Sequence, residues 1–150
     1  MGMGYAACHA QVIDEENLKK VDPEIKELFK LLEATIEDNE NFDFNEFTRM
    51  CAYCNTLEDM LKELNGQDDL PSDVVKVAWK IVDKITKAFK KKTKLDLYLD
   101  YHNSEEDGSR YDDVDGVIWI VGGCYIKSPA FKALEKRKIQ VADVMWVNYG

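Results

Sequence analysis

Cys51 and Cys54 stand at C-x-x-C spacing within "MCAYCN". Two thiols so placed can hold a soft metal ion or exchange a disulfide. A structural zinc site needs two further ligands, and the remaining candidates, Cys8, Cys124, His9 and His102, are scattered singly along the chain. A redox-active pair opens a helix that follows a strand. Cys51 and Cys54 instead continue an apolar helical stripe between Phe47 and Leu57. They are read as small core residues, as are Cys8 and Cys124 in strand-like segments. No metal and no cofactor is expected.

A second constellation, "NENFDFNEFTRM", resembles the latter half of a calcium-binding EF-hand loop, with Phe42 as its apolar position, Asp43 as the ninth ligand and Glu46 as the bidentate twelfth. Counting back puts Thr35 at the first ligand position and Glu40 where the turn requires glycine. The segment is therefore read as an acidic loop in which Asp43 caps a helix while Phe42, Phe44 and Phe47 enter the core.

Carboxylates are densest at "NSEEDGSRYDDVDG", which carries Glu105, Glu106, Asp107, Asp112, Asp113 and Asp115. Their spacing fits no calcium loop, because Tyr111 stands where a D-x-D-x-D-G pattern needs aspartate. His102 precedes them on the polar side of a strand, two residues after Asp100. With His9 it supplies the chain's only imidazoles, the side chains suited to proton transfer near neutral pH. No phosphate-binding glycine loop, H-E-x-x-H or G-x-S-x-G occurs. Among 29 acidic residues a neighbouring carboxylate pair is expected by chance, so the composition does not point to an enzyme.

These residues need a scaffold, and the apolar spacing describes one. "YAACHAQVI" alternates as a first strand with a small-residue face. Asp14 caps a short helix, and Asp22 with Pro23 starts a longer one on which Ile25, Leu28, Phe29, Leu32 and Ile36 share a face. A single stripe runs over 44–64, ending at an Asn-Gly turn. A third long helix, capped by Ser72, turns Val74, Ala78, Ile81, Ile85 and Phe89 inward and Lys76, Lys80, Lys84, Lys87 and Lys91 outward.

The period then changes to two. "LDLYLDYH" is a half-buried strand, and "VDGVIWIVGG", apolar on both faces, is a central one whose double glycine marks a bulge or bend. "SPAFKALEKRK" is a short helix and "IQVADVMWVNYG" a last strand. The chain is thus expected to be a single α+β domain over 1–150: an antiparallel sheet of about four strands, one N-terminal and three C-terminal, with three to four helices on one face.

A hydrophobic fraction of 45% in 150 residues suffices for one core. The formal net charge of −9 opposes gripping nucleic acid by its phosphates, so no direct nucleic-acid contact is expected. The lysine face lacks interleaved arginine and aromatics and reads as a solvated helix surface. No run approaches a membrane span, the N-terminus has no secretory pattern, and Ala6 stands where myristoylation needs Ser or Thr. A cytoplasmic protein with reduced cysteines is expected.

Two functional readings follow. In the first, the chain is a small acidic interaction or inhibitor protein. Glu105, Glu106, Asp107, Tyr111, Asp112, Asp113 and Asp115, with the acids of 33–46 as a second candidate stretch, dock onto a basic protein, for instance a nuclease or other nucleic-acid-binding protein, with Tyr98, Tyr111 or Tyr125 as apolar anchor. That logic resembles toxin-immunity proteins and phage anti-defence inhibitors, anti-CRISPR proteins among them, as classes and without a shared motif. The alternative is a small-ligand- or metal-binding module with a pocket near Tyr101, His102, Gly122 and Gly123, where bare backbone admits a close approach.

Overall fold

The structure is a computed structural model that describes the backbone of residues 5–102, 116–122 and 128–149, and the side chains of 11–101, 116–122 and 128–142. Strand β1 (Tyr5–Ile13) is followed by helices α1 (Glu15–Val21), α2 (Pro23–Glu37), α3 (Phe44–Tyr53), α4 (Leu57–Leu64) and α5 (Ser72–Thr93). Strands β2 (Asp96–His102) and β3 (Gly116–Gly122), helix α6 (Pro129–Lys136) and strand β4 (Ala142–Tyr149) complete the order. The protein is mixed α+β, and every pairing in its sheet is antiparallel.

The strand order β2-β3-β1-β4 puts β3 and β1 inside and leaves β2 and β4 as edges. Register decides which residues share a face. Leu97 opposes Val121, Leu99 opposes Trp119, and Trp119 opposes Ile13 across β1. All five are buried, and they form the floor on which the helices pack. The alternate positions are wetter: Tyr98 is exposed, and Ile118, Ile120 and Val12 are half-buried. Above the floor, Ile25, Leu28, Phe29 and Leu32 of α2 join Val75, Ala78, Ile81, Val82, Ile85, Ala88 and Phe89 of α5 in one core.

Local chemistry explains where the helices start. Asp14 accepts from the Asn17 amide at the head of α1, Asp22 from Glu24 at α2, Asp43 from Glu46 at α3, and Ser128 from Phe131 at α6. Each satisfies an amide that the first helical turn leaves without a partner. Buried Asn17 ties α1 to the far end of the chain by accepting from the Gln140 amide at 2.9 Å, and the Arg137 guanidinium donates to the Val21 carbonyl.

Two expectations need correction. The described chain carries six helices rather than three or four: the short helices α1 and α6 count as elements of their own, and the stripe over 44–64 is two helices. The chain leaves α3 at Cys54, whose backbone is extended, and Thr56 accepts from the Asp59 amide to begin α4. At α5 it is Pro71 that occupies the capping position; Ser72 is the first helical residue and makes no capping bond. Of the double glycine, Gly122 pairs in register with Asp96, and Gly123 lies outside the described residues. Among the described residues no helix is long and apolar enough to cross a membrane.

Candidate functional site

Of the residues picked out for docking, Glu105, Glu106, Asp107, Tyr111, Asp112, Asp113 and Asp115 lie outside the described residues, as do Gly123 and Tyr125. Their points of attachment are described. His102 ends β2 and pairs with Gly116, which begins β3. The acid-rich segment therefore leaves and rejoins the sheet at one end of these two strands.

Of the residues read as an alternative ligand pocket, the structure does not bring His102 and Gly122 together. His102 lies opposite Gly116 and Gly122 opposite Asp96, so the two are at opposite ends of the hairpin, roughly 20 Å apart at strand spacing. Tyr101 belongs to the face of Leu97 and Leu99, Gly122 to the face of Tyr98. A Cβ on Gly122 would come within 2.8 Å of Cε2 of Tyr98 and 3.2 Å of the Asp96 Cβ. The close approach that the glycine permits is thus used by the protein's own tyrosine. Tyr101 packs elsewhere: its ring lies 4.8 Å from the Arg49 guanidinium.

Cys51 and Cys54 behave as core residues, while the side chain of Cys8 and the whole of Cys124 lie outside the described residues. Cys54 is buried and Cys51 half-buried, and both are free thiols. Burial, with the neighbouring Cys54 adding to it, pushes the Cys51 thiol up to about 12, far from a reactive thiolate. Burial raises Cys54 as well, and Glu63 and Asp59 push the same way. Nor does the half-motif at 35–46 form a calcium loop. Thr35 is still within α2 and donates to the Leu31 carbonyl, while Asp43 caps α3. Phe42, Phe44 and Phe47 cluster with ring centroids 5.6 to 6.4 Å apart. Among the described residues no group of three or more His, Cys, Asp or Glu is arranged to hold a metal ion.

The feature that sequence reasoning missed is a cleft of about 420 Å³ where β1 ends and β3 begins. Its floor is Phe29 and Trp119, whose rings meet edge to face at 5.7 Å, with Leu32 and Ile13 beside them. Ile36, Phe44, Val117 and Ile118 form half-buried walls. The rim carries Asp14, Glu15 and Glu33. Val117 and Ile118 follow Gly116 directly, so the cleft opens at the end of β3 where the acid-rich segment rejoins.

The rim carboxylates are not equivalent. Asp14 is committed to α1, with one oxygen accepting from both the backbone and side-chain amides of Asn17 at 2.8 Å. Burial raises the Glu15 carboxyl above its ordinary range; Lys19 opposes that shift, and Glu33 and Glu16 add to it. Glu33 has a side chain 55% exposed, and Lys19 approaches it only to 3.9 Å, while lying 3.6 Å from Glu16 and 5.9 Å from the Phe29 ring centroid. The site thus combines a dry aromatic floor with carboxylates that the chain's own cation meets loosely. Glu15 and Glu33 sit on different helices with no common motif, so only tertiary packing brings them together.

Comparison with protein families, with curated proteins and with solved structures gives no match. The functional reading therefore rests on the geometry and charge of this chain.

Proposed function

We propose that the protein is a small acidic interaction protein that docks a carboxylate-bearing end of its sheet onto a basic protein surface, in the manner of an inhibitor or immunity protein, with nucleic-acid-binding proteins as the partner class. The observation that supports this most is the acidic rim beside the end of β3 at which the acid-rich stretch of sequence joins the sheet. The segment bearing Glu105, Glu106, Asp107, Asp112, Asp113 and Asp115 is anchored at His102 and Gly116, and the rim of Asp14, Glu15 and Glu33 stands at the same start of β3.

Clustered negative charge accelerates encounter with a cationic partner, and an apolar cleft amid it offers a fixed point for the docked pose. Two of the lysines of α5 are engaged by other acids. Lys87 pairs with Asp83 at 2.7 Å on its own helix, and Lys90 with Asp96 at 2.9 Å, at the opposite end of β2 from His102.

Replacing Glu105, Glu106, Asp112 and Asp113 with Ser tests the reading. Native mass spectrometry of the protein recovered from its own cellular extract should show a basic partner at low salt and its loss as salt rises. The quadruple variant should associate about tenfold more slowly at low salt while unfolding at the same denaturant concentration. Equal association rates for variant and parent would remove the segment from the interface.

A further inference from the structure

We propose that the cleft between β1, β3, α2 and α3 receives one arginine side chain of the basic partner, its aliphatic stem on the aromatic floor and its guanidinium between Glu15 and Glu33. This rests on the interaction reading and names the partner chemistry at its centre.

Three properties of the cleft select this occupant. Its volume, about 420 Å³, is at the small end of ligand pockets, which run from roughly 300 to 1,000 Å³, so it suits a single side chain rather than a folded element. Its lining is apolar below and acidic only at the rim, the reverse of what a hard metal cation requires; calcium demands six to eight oxygens close together. An occupant must therefore be apolar along its length and cationic at its tip. Arginine meets both conditions, because its methylene stem tolerates burial and its planar guanidinium spans carboxylates and stacks on rings.

The chain also supplies a competitor that shows what the rim accepts. Lys19 lies beside the Phe29 ring and pairs with Glu33 at 3.9 Å, a cation over an aromatic at the cleft's edge. Lys19 is not among the lining residues, and besides Asp14, which caps α1, the carboxylates that face the cleft come from two other positions, Glu15 at the start of α1 and Glu33 on α2. A guanidinium entering from the partner would meet both carboxylates at once, which the ammonium of Lys19 does not.

The test uses the whole protein and a blocked arginine, N-acetyl-arginine-methylamide, followed by backbone amide shifts in NMR spectra. Saturable shifts centred on Glu15, Phe44 and Ile118 are expected, weaker by about fivefold in Glu33→Gln and undetectable in the Glu15→Gln/Glu33→Gln double variant. Lys19→Met, which removes the competing ammonium, should tighten binding by a similar factor. Blocked lysine and butanol should bind more weakly than blocked arginine.

Absence of saturable shifts, or equal shifts in the double variant, would overturn the proposal. Binding of butylguanidinium without binding of blocked arginine would overturn it too, because the cleft would then take a free small cation and not a side chain carried on a polypeptide. The same double variant separates this inference from the broader one. A low-salt complex that forms undiminished with it sinks the arginine cleft and leaves the interaction reading standing. Saturable arginine binding with no partner at any salt concentration supports the cleft and sinks that reading.

Discussion

The two ends of β3 are both marked by glycine, for opposite reasons. Gly116 has φ of +87°, and a Cβ added there would meet nothing within 4 Å. Gly122 has ordinary strand geometry, and a Cβ there would strike the Tyr98 ring at 2.8 Å. At the first end the constraint lies in the backbone and the surroundings are open; at the second the backbone is relaxed and the space is taken. An open end beside a cleft can receive a partner, whereas an end filled by the protein's own tyrosine is finished structure. This difference is why the site is assigned to the start of β3 and not to its double glycine.

The floor joins the two ends, and it should carry the largest effect. Trp119 is buried, pairs with Leu99 and Ile13 across both neighbouring strands and meets Phe29 edge to face. Trp119→Ala removes that contact and leaves a cavity, so equilibrium unfolding in urea should show a loss of about 3–5 kcal/mol. A loss under about 1 kcal/mol would mean that the cleft floor is not core, and the contrast between an open and a filled end would lose its base.

The glycines should respond less strongly and in different ways. Gly116→Ala forces a side chain into left-handed backbone and should cost about 1–2 kcal/mol. Gly122→Ala should cost about 1 kcal/mol through crowding. Adding Tyr98→Ala separates the two. In that background the cost at Gly122 should fall by half or more, with the Asp96 Cβ at 3.2 Å keeping a remainder, while the cost at Gly116 should not change. Equal coupling of Tyr98 to both glycines would erase the distinction.

Much of this scaffold is legible in the sequence, because its signals are local. The caps at Asp14, Asp22, Asp43 and Ser128, the prolines at 23 and 129 and the shift from helical to alternating spacing after Lys94 each act within a few residues. The break inside 44–64 was also encoded: Thr56, three residues before Asp59, is a helix-start signal, but the apolar stripe runs on through Cys54 and Leu57 and hides it. The need for glycine at 122 is not local, because the ring that crowds it comes from a strand more than twenty residues earlier in the chain. The cleft was invisible for the same reason. Glu15 and Glu33 belong to separate helices, and no spacing rule links them until α1 packs against α2.

The smallest effect is the most specific to the open end. Two influences act on Glu15. It lies in the first turn of α1, where the helix dipole favours a negative charge. It is also part-buried at the cleft rim, where desolvation favours the neutral form and outweighs Lys19. A carboxyl raised in the folded state binds its proton more tightly there than in the unfolded chain. Its contribution to stability is then full below the ordinary carboxylate range and is lost as pH rises through the raised folded value. Glu15→Gln lacks that loss. Relative to the parent, the variant should therefore gain stability between pH 4 and pH 7, by less than either glycine substitution costs, in urea titrations at the two pH values. A relative loss over the same interval would show that the helix dipole prevails and that the rim at Glu15 is as wet as at Glu33.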